Sequence, residues 1–262
     1  MTYQHLTLDK RGPIAVVTFN RPERANALHY AHIEEIERVA LSFRDDADTR
    51  VVIFTGAGKH FSSGADLTDA GAEYRVPMVL RRRRNRIGER AIHALYEIDQ
   101  ITIAAWNGAA MGGGACIATA LDFRIGADDC FMQYPEIDIG LNLMWQSLPL
   151  ATRLVGASRA KRLVAGGERV HAPTLLQWGA LDDLVPRAEL LDRAHAWAER
   201  YANKPPAAVQ MIKRSINSIE GFLDRALMHM DADQNLFAQS FEDRRTAAAA
   251  YRSGEKPTFT GD

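Results

Sequence analysis

The chain has 262 residues, of which 47% are hydrophobic and 25% charged, and its formal net charge is −1. This is an ordinary globular composition, able to bury a core in one large domain or two smaller ones. It gives no global attraction to nucleic acid or to an anionic membrane. Two cysteines, Cys116 and Cys130, form no disulfide framework and fit a reducing cytoplasm.

The opening MTYQHLTLDKRG has no apolar run after its charges and does not read as a signal peptide. The β-branched run IAVVTF at 14–19 predicts a strand, broken by Arg21-Pro22. Residues 26–44 place Leu28, Ile33, Ile36, Val39, Ala40 and Phe43 at helical spacing. VVIFT at 51–55 predicts a fully buried strand that ends at Gly56-Ala57-Gly58. A small-residue loop follows at 62–67, then a helix over 81–98 with Ile87, Ala91, Leu95 and Ile98 on one face.

The apolar stretch 101–123 is about long enough to span a bilayer. It also holds Asn107, Gly108, Gly112, Gly113, Gly114 and Asp122, so a buried strand at 101–106, a glycine turn and a short helix over 112–120 explain it better. Further elements are a strand at 123–125, a helix at 158–164 and near-continuous helix from 190 to 251, broken at Pro205-Pro206 and Gly221. Strands and helices mix first and helices dominate later, giving an α/β core at 1–195 and a helical region at 196–262. Apolar faces on such an extension often pack against another subunit.

Three segments carry candidate chemistry. KHFSSGADL at 59–67 follows a buried strand, where ligands of open α/β sheets bind; taken alone, it also fits a tight turn. In NGAAMGGG at 107–114, glycines open a helix whose N–H groups could receive a carbonyl or phosphate, or simply allow close strand–helix packing. It is neither GxGxxG nor a P-loop. In FMQYPEIDIG at 131–140, Glu136 sits in an apolar setting and is either a general base with a raised pKa or a surface or capping residue.

Together these segments resemble the crotonase (enoyl-CoA hydratase/isomerase) family. FSSGADL resembles F-x-A-G-A-D-L, and residues 107–140 resemble the long N-G-x-A-x-G-G-G…P-E-x-x-x-G signature. RPERANAL at 21–28, GALDDLV at 179–185 and KPTFTG at 256–261 resemble further family segments, so the likeness spans essentially the whole chain. The resemblance implies a spiral of ββα units with C-terminal helices that build trimers or hexamers, and a coenzyme A thioester substrate with no separate cofactor. Carried over, it places the oxyanion hole at the N–H groups of Ala65 and Gly113, with Glu136 as base. It places coenzyme A against Arg24, Ala25 and Ala27 and along Ser63, Gly64, Asp66 and Leu67, with Gly112, Cys116 and Met144 in the substrate site.

Two departures redirect the expected chemistry. Family hydratases hold a water between two glutamates; the first aligns with Cys116, and a thiol with an ordinary pKa near ~8.5 cannot replace a carboxylate base. Where hydratases continue with a glycine-rich segment, this chain reads LNLMWQS, and Met144 replaces the Asp of dehalogenases and dienoyl isomerases. A single glutamate resembles the enoyl-CoA isomerases, so 3-enoyl to 2-enoyl isomerisation is the leading expectation. Hydration needs another acid, with Asp138 and Asp69 nearest in sequence. A catalytically silent acyl-CoA binder and a thioester hydrolase are the alternatives.

The run Arg81–Arg84 with Arg86 is a solvated helix face, a contact to coenzyme A phosphates or an RNA surface; without interleaved aromatics the last is disfavoured. His60 and His93 read as surface or packing residues that stand near a pocket. No HxxxH, CxxC or carboxylate cluster points to a metal, and no Gly-x-Ser-x-Gly elbow to a serine hydrolase.

Overall fold

The computed structural model describes residues 2–66 and 76–262. Its main sheet runs β1-β2-β3-β4-β6-β9, and the strands are β1 (Leu6–Arg11), β2 (Ile14–Phe19), β3 (Val51–Gly56), β4 (Ile101–Trp106), β6 (Phe123–Ala127) and β9 (Asp183–Val185). All neighbours are parallel except β1 and β2, which form a hairpin across Gly12-Pro13. Strands β3 and β4 are buried along their whole length, as parallel strands covered on both faces should be. Strand β1 was not foreseen: it is a polar edge whose only buried residue is Leu6.

A smaller sheet of β5 (Ala109–Met111), β7 (Phe131–Gln133) and β8 (Val170–His171) begins just beyond β4. Asn107 makes this corner: its amide donates to the carbonyls of Gly56 and Gly58 and accepts from the Gly56 N–H at 3.0 Å. Gly108 (φ 104°) is required there, since a Cβ would lie 2.2 Å from the Lys59 carbonyl oxygen.

Helix α1 (Tyr30–Ser42) starts later than the hydrophobic spacing suggested. Ala25 and Asn26 have positive φ, and the Asn26 amide donates to the carbonyls of Ala57 and His60, so residues 21–28 form a fixed loop. His29 caps α1 by accepting from the His32 N–H at 3.0 Å. The helix expected over 81–98 is two: α2 (Met78–Arg84) and α3 (Ile87–Tyr96). They part at Asn85, whose side chain donates to the Ala232 carbonyl at 2.9 Å.

Helix α4 (Gly113–Ala120) is buried at all eight positions and runs through the core, which explains its lack of a polar face. Helices α5 (Ser147–Val155), α6 (Ala157–Val164) and α7 (Ala172–Trp178) lead to β9, and α8 (Leu190–Ala202) packs buried alanines on the sheet. The boundary expected at 195/196 lies inside α8. Four helices follow: α9 (Pro206–Glu220), α10 (Asp224–Met228), α11 (Asp231–Ala238) and α12 (Glu242–Ser253). Among the described residues, no helix is long and apolar enough to cross a membrane.

Only Lys213 is buried on α9; its ammonium meets the Asp122 carboxylate and the Gln100 carbonyl, each at 2.7 Å. Removing one member of a buried pair strands the other charge. Lys213→Met is expected to lower stability by about 3 kcal/mol, read as a fall in the urea midpoint with unchanged slope.

Candidate active site

Three chain segments meet along short ladders. Leu28 and Ala65 pair in parallel, with Leu28 N–H donating to the Gly64 carbonyl at 2.8 Å and Asp66 N–H to Leu28 at 3.0 Å. Ser62 pairs with Ala110: Ser62 N–H donates to Ala109 at 3.0 Å and Met111 N–H to Ser62 at 2.9 Å. Arg21 locks the first segment to the second, donating to the Ala27 carbonyl and to the Asp66 carboxylate.

This pairing leaves two amides over. Among the described residues, neither the Ala65 N–H nor the Gly113 N–H has an acceptor, and both residues line one cavity of about 270 Å³. Gly64 (φ 85°) allows their segments to touch: a Cβ there would lie 2.6 Å from the Met111 carbonyl oxygen. Gly112 (φ 47°) turns the chain into α4, so Gly113 stands at the first position of that helix, where N–H groups are free and the dipole is positive.

Glu136 lies beside them. Its Oε1 would be 2.7 Å from a Cβ on Gly112, so the carboxylate rests directly on that glycine. Its Oε2 is sealed from solvent and has no hydrogen-bond partner among the described residues. Burial raises its pKa to about 7, with a smaller push from the Asp138 charge. Asp138 itself faces elsewhere, with a carboxylate oxygen 3.0 Å from where a Cβ of Gly167 would be. Asp69 and Leu67 lie outside the described residues.

Cys116 lines the cavity from α4 and is buried. Burial, with the Glu136 charge nearby, raises its thiol well above the ordinary range, against a hydrogen bond to Ser147. It is therefore a neutral group at physiological pH.

Trp145 closes the wall. Its ring lies over two glycines: a Cβ at Gly88 of α3 would be 1.9 Å from the ring, and one at Gly113 would be 2.4 Å from it. Trp145 and Gln146 both have positive φ, and the Gln146 N–H donates to the buried Asp231 carboxylate at 2.5 Å. Met144 is half-buried beside it, 3.9 Å from the Asn85 amide.

Of the residues expected at the site, Ser63, Gly64, Ala65, Asp66, Gly112, Gly113, Cys116, Glu136 and Met144 share this cavity. Arg24, Ala25 and Ala27 do not line it; they belong to the adjoining loop, where the Ser63 N–H donates to the Ala25 carbonyl at 3.0 Å. The sequence reading missed Asn235, Gln239, Arg244 and Tyr251, which reach the cavity from the C-terminal helices. No local motif marks them, because only the fold brings them there.

The arginine run is partly occupied. Arg81 donates to Gln239, Arg82 binds Asp233 through two bonds of 2.7 Å, and Arg86 pairs with Glu89 at 2.8 Å. His60 and His93 lie outside the cavity lining; His60 accepts from the Ala109 N–H at 3.2 Å.

Two unpaired main-chain donors and one sealed carboxylate thus line a single cavity. The family model for enoyl-CoA hydratase/isomerase matches residues 9–262, and the chain belongs to that family. It is an acyl-CoA-processing enzyme of the crotonase fold. It is 31% identical to a short-chain-enoyl-CoA hydratase of Clostridium acetobutylicum, over 96% of this chain and 95% of that one. It is 29% identical to a crotonyl-CoA hydratase of Syntrophomonas wolfei, over 99% of each. A crystal structure of an enoyl-CoA hydratase from Mycobacterium avium subsp. paratuberculosis superposes with a TM-score of 0.88 at 24% identity, covering 99% of this chain and 100% of that one.

A neutral buried thiol reacts slowly. Iodoacetamide at pH 8 is expected to leave Cys116 unmodified in the native protein and to alkylate it fully after denaturation, as mapped by mass spectrometry. Rapid native alkylation would mean an ionised thiol at the site.

Proposed function

We propose that this enzyme moves the double bond of a 3-enoyl-CoA to the 2-position through a thioester enolate. The observation that carries this reading is the lone carboxylate: of the two acids among the described residues that line the cavity, Asp66 is engaged by Arg21 at 3.0 Å and Glu136 is not engaged. The thioester oxygen accepts from the Ala65 and Gly113 amides. Coenzyme A lies along residues 63–66 and the loop 24–27. Glu136 removes a proton from carbon 2 and returns it to carbon 4, while the two amides hold the charge on oxygen.

A carboxylate with a pKa near 7 suits both halves of that shuttle, because it takes and releases the proton with little driving force either way. Water addition needs a second group to orient the water. Cys116 offers a neutral thiol there, and Trp145 and Met144 make the adjoining wall apolar. The relatives with hydratase names favour the second reading, hydration, and the same experiment separates the two.

Glu136→Gln is expected to lower turnover of a 3-enoyl-CoA by about 10³-fold and to abolish deuterium exchange at carbon 2 of a saturated acyl-CoA. Intact exchange in this variant, or wild-type addition of water to a 2-enoyl-CoA faster than isomerisation, sinks the proposal.

The pH dependence follows from the same burial. The base works ionised, so kcat/KM is expected to rise with pH and level off above about 7. Stability runs the other way. A carboxylate with a raised folded pKa binds more protons folded than unfolded, so ionisation between about 4.5 and 7 destabilises the protein. At pH 8 Glu136→Gln is therefore expected to be the more stable protein, by up to about 3 kcal/mol in chemical denaturation.

We also propose a trimer or a pair of trimers. Met211, Ile212, Ile216, Ile219 and Phe222 stand exposed on α9 and just past it, a larger apolar face than a monomer usually presents. Light scattering after size exclusion is expected to give three or six chains; a monodisperse monomer removes this proposal.

A further inference from the structure

Two guanidinium groups line the cavity without an ion-pair partner among the described residues. Arg84 ends α2 and Arg244 stands in the first part of α12; both line the cavity. Among the described residues neither has a hydrogen bond or an ion pair, and the Arg244 Nη1 is sealed from solvent without an acceptor. A buried donor left unpaired is costly, so such a group is normally matched by an acceptor.

Their position relative to the reacting carbons follows from their neighbours. The backbone of Arg244 abuts Gly140, where a Cβ would lie 2.9 Å from the Arg244 Cα. Gly140 closes the short 3-10 turn that Glu136 opens. Arg84 precedes Asn85, which contacts Met144. Arg244 thus stands beside the turn that carries Glu136, and Arg84 lines the same cavity next to Asn85. Leu28 and segment 63–66 also line the cavity, and there Asp66 is matched by Arg21. With the thioester oxygen at the Ala65 and Gly113 amides, the arginines remain in the same cavity as partners for the far end of the acyl chain. This placement rests on the enolate reading given above.

We propose that the acyl group ends in a carboxylate, so that the substrate is the mono-coenzyme A thioester of an unsaturated dicarboxylic acid. A guanidinium presents paired donors that fit a carboxylate edge-on, and charge-assisted bonds of this kind are the strong ones. An alkyl end would leave Arg244 Nη1 unpaired, and a cationic end would face two like charges.

Calorimetric binding of two saturated, unreactive ligands tests this: adipoyl-CoA and hexanoyl-CoA, equal in carbon number and differing only at the far end. The wild-type protein is expected to bind adipoyl-CoA at least ~10-fold more tightly. Arg244→Met is expected to remove most of that preference by weakening adipoyl-CoA alone. Arg84→Met, at an exposed position that folding tolerates, is expected to reduce it. Equal wild-type affinities overturn the proposal. So does a loss in Arg244→Met that is the same for both ligands, which is what a contact to coenzyme A phosphates gives. Failure of the enolate reading is distinct: proton exchange at carbon 2 is then absent while the ratio of affinities persists.

Discussion

The site depends on two main-chain N–H groups that the fold declines to pair. Ladders on either side use up the neighbouring amides: Ser63, Asp66, Met111 and Gly112 all donate to other segments. The amides of Ala65 and Gly113 are left facing a cavity. Gly113 is buried and Ala65 is exposed, so the first amide lacks a partner inside the fold while the second is open to solvent. Because the donors are backbone atoms fixed by paired chain on both sides, they need no reorganisation when charge develops. Glycines at 64 and 112 allow the segments to approach closely enough for this, one through a left-handed turn against Met111 and the other through the turn into α4.

Glu136 shares the same exclusion of water. It has an Oε2 sealed from solvent without a hydrogen-bond partner among the described residues, and burial outweighs its own backbone N–H to raise the pKa to about 7. Such a carboxylate is poor for folding and good for proton transfer. Cys116, a helical turn past Gly112, meets the opposite fate: burial keeps it protonated, so it contributes shape and no charge. Among the described residues the carboxylate, imidazole and guanidinium groups lining the cavity are then Glu136, Asp66 in its pair with Arg21, His29 and the two arginines.

Much of this was legible in the residues themselves. Strands β2, β3 and β4 are short, apolar and bounded by turn residues, and their positions follow from the run lengths. The amides at 65 and 113 and the carboxylate at 136 follow from motif order and resemblance. The rest was not legible for identifiable reasons. Strand β1 buries one side chain, so it has no hydrophobic signature. The start of α1 was displaced because Asn26 spends its side chain on two distant carbonyls. Arg244, Asn235, Gln239 and Tyr251 reach the cavity across a separation of about a hundred residues or more, and nothing local in α11 or α12 announces it.

The indole at position 145 carries a consequence of its own. It fills the two spaces that methyl groups on residues 88 and 113 would occupy, one on a peripheral helix and one at the oxyanion donor itself. The ring therefore holds both positions to glycine: neither can acquire a side chain while the indole stays. The tryptophan thereby ties the placement of α3 to that of the first residue of α4.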